Sequence, residues 1–374
     1  MIIFQGILSI LLIGIIIITL LGIRSLNRSM KSFREFNGVG KRGVTVVMAA
    51  RNEQNKIGKT LESLVKVDDK LEKIIVVNDR STDNTREIIK KYMEIDKRIE
   101  LLDIDKVPKS WVAKSYALYN GVKRAKYNNA LLFLDADIEG DMQRIVNVAS
   151  NIKEGELYTF MPYFETDNVI SNSSQSFLSA LLHGYFGYDR SVNKNSNYSL
   201  MFGCCWSIMP YTYYEVGGHA SVKSDLMEDK NFATRAKSMG VNIIPIDGRD
   251  FIKTKSWNNV DDIKGLLSRI FFDYEKNLSN PINIYLLAIG LILLFYLPLI
   301  WIPLILIKQY LLSFISFMTY MIENIFFYLG GLTNKIKKPY SLLYFIPAYL
   351  LITGFIEAKR KGVIWKGETY KINS

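Results

Sequence analysis

The stretch Ala130-Leu131-Leu132-Phe133-Leu134-Asp135-Ala136-Asp137 decides how this chain is read. An apolar run without polar alternation marks a strand buried on both faces, as in a parallel sheet covered by helices. The run ends in two carboxylates two positions apart. Charge at the edge of an apolar core is costly unless it is paired or bound to a metal. Where a strand bends out of its sheet, both acids can face one cleft. Two hard oxygen ligands there suit Mg²⁺ or Mn²⁺, which can in turn grip a diphosphate. Taken alone, the pair reads more readily as a solvated strand end with incidental acids.

Reading outward, residues 43–49, 73–78 and 99–104 give three more strand runs, and residues 53–66, 82–93 and 112–126 read as helices. The alternation predicts an α/β fold, Rossmann-like with a mostly parallel sheet, whose ligands sit at the carboxyl ends of the strands. The first run leads into Ala50-Arg51-Asn52-Glu53, the second into Asp79-Arg80-Ser81-Thr82-Asp83. Ala50, Glu53, Asp79, Asp135 and Asp137 therefore converge on one edge. Glu53 and Asp79 suit a base N–H and ribose hydroxyls, whereas Ser81, Thr82 and Asp83 read first as a helix N-cap.

Further along, Glu228 and Asp229 precede a helical stretch. By position alone they favour the helix dipole, but a carboxylate beside a reacting hydroxyl can also take its proton. Lys114 reads either as a solvated helix lysine or as a counter-charge for phosphate. His219 is either a loop histidine or a contact to the metal or the diphosphate, and His183, in an apolar stretch, reads as structural. Residues 173–188 are either an interfacial helix that guides a lipid or an ordinary core helix. Cys204 and Cys205 are adjacent, which is poor disulfide geometry; they read as small buried hydrophobes in a reducing compartment.

Of the 374 residues, 49% are hydrophobic, and these are concentrated at the two ends. Residues 2–23 carry no charge and are long enough to span about 30 Å of hydrocarbon. Arg24, Arg28, Lys31 and Arg34 follow, and the positive-inside rule puts them in the cytoplasm. Residues 282–307 are uncharged, with Pro298 and Pro303 able to break the helix; 309–332 and the shorter 340–356 follow. The formal net charge of +11 lies beside these apolar ends, which points to a membrane surface and away from nucleic acid. The expected order is a transmembrane anchor at 1–24, a catalytic domain at 43–278, a membrane region at 282–357 and a basic tail at 358–374. The expected setting is a multi-pass cell-membrane protein with its catalytic domain in the cytoplasm.

The series AARNE, NDRSTDNT and LDAD resembles the family-two glycosyltransferases of the GT-A fold. The resemblance implies a metal-dependent hexosyltransferase using a nucleotide-sugar donor, UDP-linked, with Mg²⁺ or Mn²⁺. Ala50, Glu53, Asp79, Lys114 and Asp135 would hold the donor, and Asp135 and Asp137 the metal. Met227-Glu228-Asp229 resembles the family's acceptor-side element. There Asp229 would be the base of an inverting transfer, with Glu228 beside it, and Gly203–Ser207 would line the acceptor side. Lys109-Ser110-Trp111-Val112-Ala113-Lys114 and Gly362–Tyr370 resemble the branch that glycosylates carotenoids and hopanoids, which implies a lipid-like, isoprenoid acceptor such as a carotenoid acid. No Q-x-x-R-W element follows the base, which implies transfer of a single sugar. Two other readings stay open: a polyprenyl-phosphate sugar synthase, and a non-catalytic membrane partner that keeps the fold.

Overall fold

The structure is a computed structural model. It describes residues 2–36, 38–193, 195–256, 259–276, 282–365 and 368–370. Residues 194, 257–258 and 277–278 of the expected catalytic segment, and 366–367 and 371–374 of the tail, lie outside them.

In chain order, helix α1 (Ile2–Lys31) leads to strand β1 (Val44–Ala50), α2 (Ile57–Val65), β2 (Leu71–Asp79) and α3 (Thr85–Ile95). Then come β3 (Ile99–Ile104), α4 (Ala113–Val122), β4 (Ala130–Leu134), β5 (Glu139–Gly140) and α5 (Met142–Ala149). β6 (Glu156–Met161), β7 (Tyr163–Glu165), α6 (Val169–Ala180), a π-helical turn (Leu181–Phe186) and α7 (Tyr188–Val192) follow. Next are β8 (Cys205–Ile208), α8 (Pro210–Val216), a 3-10 turn (Gly218–Val222), α9 (Glu228–Ser238), β9 (Asn242–Asp247) and β10 (Ile252–Lys255). The remainder is α10 (Val260–Lys276), α11 (Ile282–Tyr296), α12 (Trp301–Leu306), α13 (Tyr310–Thr333), α14 (Phe345–Lys361) and the strand pair β11 (Val363–Trp365) and β12 (Glu368–Tyr370).

These elements fall into two compact units. The first, Lys31–Glu165 with Tyr188–Lys255, holds a seven-stranded sheet in the order β3-β2-β1-β4-β8-β6-β9. β3, β2, β1 and β4 are parallel neighbours, and β8 alone runs against its partners β4 and β6. The strand runs lack polar alternation because both faces are covered. Val44, Val46 and Met48 of β1 enter one core with Ile74, Val76, Leu132 and Leu134. Val47 enters the opposite core with Ile75, Val77, Leu131 and Phe133. Successive side chains point to opposite faces, and each one fully buried contributes roughly 1.5–3 kcal/mol.

The second unit comprises Met1–Met30, Thr166–Gly187 and Ser256–Ser374. Among the described residues, three helices are long and apolar enough to cross a membrane: Ile3–Lys31, Leu286–Leu306 and Tyr310–Thr333. The middle one is interrupted where expected, with Pro298 in a 3-10 turn between α11 and α12. The stretch 340–356 forms a 3-10 turn and most of α14 and is not one of the three. α6 is a core helix of this unit. Its Phe177 and Ala180 are buried together with a run of serines. His183 is structural as read, buried with its Nδ1 3.1 Å from Ser29 Oγ.

Candidate active site

Register brings the strand ends together. Ala50 lies opposite Asn78, and Val47 opposite Phe133, so β1, β2 and β4 release their chains along one edge of the sheet. Ala50 is buried in the core there, leaving its main chain as the part that can meet a ligand. The loops after β1 and β2 are laced together. Asn52 N donates to Ser81 Oγ and accepts through Oδ1 from Thr82 N; Glu53 N donates to Thr85 Oγ1, and Gln54 N to Asp83. Asp83 accepts from Thr85 N and Thr85 Oγ1, but the cap position of α3 is Asn84, which makes no side-chain cap bond. Ser81 and Thr82, read as cap residues, are instead committed to the neighbouring loop.

Asp79 is only 3% exposed. Its carboxylate accepts from Arg80 Nε at 2.8 Å and lies 3.8 Å from Arg51. Both arginines are contacts that the sequence reading missed. Arg80 has a φ of +53°, and Asn52 of +55°. The left-handed region is unfavourable for an arginine by roughly 1–2 kcal/mol, and such strain collects at functional sites. The next position back, Asn78, donates to Asp103, which Arg86 also holds, and accepts through Oδ1 from Ser81 N.

At the end of β4, Asp135 N donates to Cys204 O, and buried Thr60 donates its hydroxyl to the carbonyls of Ala136 and Ile138. Thr60, on α2, thus fixes the bend that carries both acids. Each acid meets a lysine. Lys114 Nζ, in the first turn of α4, lies 2.9 Å from Asp135 and 3.5 Å from Glu228. Lys56 Nζ, just before α2, lies 3.1 Å from Asp137 and 4.0 Å from Glu53. Lys56 had no signal in the sequence.

Glu228 and Asp229 form the first turn of α9. Burial pushes the Glu228 carboxyl up to about 7, with Lys114 pulling it down and Asp229 adding to the rise. Burial also works against the Lys114 charge, but Asp135, Glu228 and Asp229 outweigh it and hold the ammonium above its ordinary pKa. Asp229 sits against Gly203, where any side chain would overlap its carboxylate. The neighbouring thiols Cys204 and Cys205 are free, and burial holds both neutral.

His219 belongs to the core packing beside the site. It is buried with Nδ1 2.8 Å from Tyr213 Oη, among the rings of Phe133, Trp206 and Phe232. Burial, then Lys114, lowers its pKa to about 3.

A family model described as glycosyl transferase family 2 matches residues 45–216. The chain carries a family 2 glycosyltransferase domain. A 4,4'-diaponeurosporenoate glycosyltransferase of Staphylococcus aureus (strain USA300) is 24% identical over 348 residues, covering 89% of each chain. The same-named protein of the bovine strain RF122 is 26% identical over 216 residues, covering 56% of each. Among solved structures, a mannosyltransferase from Pyrobaculum calidifontis in complex with GDP-Man and Mn²⁺ superposes with a TM-score of 0.56 at 14% identity. It covers 94% of this chain and 98% of its own. The glycosyltransferase fold is thus GT-A, with apolar helices near the N-terminus and in the C-terminal region.

Among the described residues, no three His, Cys, Asp or Glu side chains form a metal-binding group. Asp135 and Asp137 still fit a Mg²⁺-like ion. Such ions bind through one or two carboxylates and take their remaining ligands from water and substrate phosphate.

Proposed function

We propose that this glycosyltransferase moves one sugar from a nucleoside diphosphate donor, UDP-linked, to a lipid-like acceptor such as a carotenoid acid at a cytoplasmic membrane face. The observation that carries the reading is the Lys114 bridge. It puts Asp135, an acid at the end of a core strand, within one ammonium's reach of Glu228, next to Asp229. A donor-binding acid and an acceptor-side acid pair then belong to one cleft, as sugar transfer requires. The names of the Staphylococcus aureus relatives support the acceptor class.

In this reading Glu53 and Asp79 hold the nucleoside, with Arg51 and Arg80 fixing the Asp79 carboxylate. Asp135 and Asp137 would hold Mg²⁺ or Mn²⁺, which supplies positive charge to the diphosphate leaving group. Lys114 adds a second cation on the same side. Asp229 takes the proton of an acceptor hydroxyl as it attacks the anomeric carbon, and a single displacement inverts that centre. A carboxylate acceptor arrives already ionised and needs no proton removed, so Asp229 would then only orient it.

The test uses detergent-solubilised protein, a panel of UDP- and GDP-sugars, Mn²⁺, and either a carotenoid acid or a membrane-lipid extract. The expected result is transfer from one donor, abolished by EDTA and by Asp137→Ala. With a hydroxyl acceptor, Asp229→Asn loses about 10²–10⁴-fold in kcat, the usual worth of a positioned base, while still binding nucleotide. Near-normal transfer by that variant would remove Asp229 from the mechanism. Failure to turn over or bind any donor would overturn the donor reading.

A further inference from the structure

Each acid of the Asp135/Asp137 pair has a lysine of its own, delivered by a different element. Lys114 comes from the first turn of α4, Lys56 from the residue before α2. Each lysine also reaches a second acid at the site, Glu228 for Lys114 and Glu53 for Lys56. The acids themselves have little freedom, because Thr60 clamps the carbonyls on either side of Asp137. Lys56 has more: its side chain is 47% exposed, against 27% for Asp137. A lysine is a compact charge on a flexible four-carbon stem and can change partners.

We propose that Lys56 and Lys114 make divalent-metal binding conditional on the nucleotide diphosphate, each occupying one acid of the pair until phosphate oxygens offer it another partner. The inference rests on the donor-site reading above. A divalent ion arriving alone must displace two ammonium groups and then remain close to both, and like charges a few ångströms apart repel strongly in a partly buried cleft. A diphosphate changes this. Its oxygens accept charge-assisted hydrogen bonds from the displaced lysines, so metal and lysines stop competing and neutralise the same anion together. Such a coupling is reciprocal: nucleotide tightens metal, and metal tightens nucleotide by the same factor.

The experiment is Mn²⁺ titration by calorimetry on the detergent-solubilised full chain, alone and with saturating UDP or GDP. Wild type should bind Mn²⁺ weakly alone and far more tightly with nucleotide. Lys56→Met should tighten Mn²⁺ binding in the absence of nucleotide by about two- to fivefold, the span of a partly exposed ion pair. It should shrink the nucleotide-dependent gain by a similar factor. Lys114→Met should act in the same direction, and the double variant should show the smallest gain of the series. Lys66→Met, which removes one charge from a surface pair with Glu62, should behave as wild type. Lys56 is exposed enough for its replacement to leave folding intact, so the single variant suffices if the Lys114 variant does not fold. Wild-type coupling that survives unchanged in Lys56→Met overturns the inference and leaves the donor site standing. Wild type that binds neither UDP nor GDP at any Mn²⁺ concentration overturns the donor reading and the inference with it.

Discussion

At Gly203 the requirement for glycine comes from a neighbour and not from the backbone. A methyl group there would overlap the carboxylate and Cβ of Asp229, so a glycine on the β8 side lets the first turn of α9 close onto the strand ends. Gly203→Ala should push the Asp229 carboxylate aside without touching Asp79 or Asp135. Displacing a reacting group by about 1 Å can cost about 10²-fold, so the expected outcome is a kcat lowered by about 10–100-fold with donor KM nearly unchanged. Equal losses in nucleotide affinity and kcat would instead mean that the whole edge had been disturbed. Arg80 poses the opposite case, a backbone in the left-handed region held there because its guanidinium bonds Asp79. Nothing in the residue type announces that conformation, which exists only once β1 and β2 have set the two loops side by side.

At the scale of elements, the 3-10 turn Gly218–Val222 carries His219 into the core beside α8, where its partner is Tyr213 Oη. Burial lowers the imidazole to about 3, against about 6.5 when unfolded. As pH falls below 6.5 the unfolded chain takes up this proton and the folded chain does not. Stability present above 6.5 is therefore lost at about 1.4 kcal/mol per pH unit, roughly 2 kcal/mol by pH 5. Glu228, raised to about 7, tilts the other way between its ordinary value and 7, and comparing variant with wild type cancels it. His219→Gln should therefore lose less of its Tm between pH 7 and pH 5 than wild type does; equal losses would mean that the histidine is protonated in place. The same elements mark what was legible in the sequence. β3 lies where the apolar run put it, and β1, β2 and β4 within a few residues, because burial on both faces leaves an unbroken signal. α3 begins at Thr85 and not at residue 82, because Ser81 and Thr82 are used to bind Asn52. The acids stood out as charges at the ends of apolar strands. Lys56 and Thr60 did not, because a lysine before a helix and a threonine within one look the same whether or not a loop from β4 rests on them.

At the scale of the whole molecule, the compact units do not follow the linear order of the chain. The α/β unit is interrupted at Thr166, and Thr166–Gly187 belongs with the apolar helices. Composition hides this, since α6 reads Val-Ile-Ser-Asn-Ser-Ser-Gln-Ser-Phe-Leu-Ser-Ala and five of those serines would ordinarily be surface residues. Here small side chains let helices approach closely, as they do in membranes. A Cβ built on Gly330 of α13 would lie 2.5 Å from Ser176 O and 2.6 Å from the Ala180 Cβ. A chain of residues 32–255, without the apolar α1, keeps every acid and lysine of the candidate site but loses α13, and with it the cover over Phe177 and Ala180. Its exposed α6 face should drive association, so size-exclusion chromatography without detergent should show aggregates and no monomer. Gly330→Leu in the full chain attacks the same contact from the other side. It forces a large side chain into a closed helix contact, which typically costs about 1–3 kcal/mol, and the Tm in detergent should fall while nucleotide binding at the folded site is retained. A cut chain that runs as a detergent-free monomer, together with an unchanged Tm for Gly330→Leu, would mean that 166–187 folds without α13.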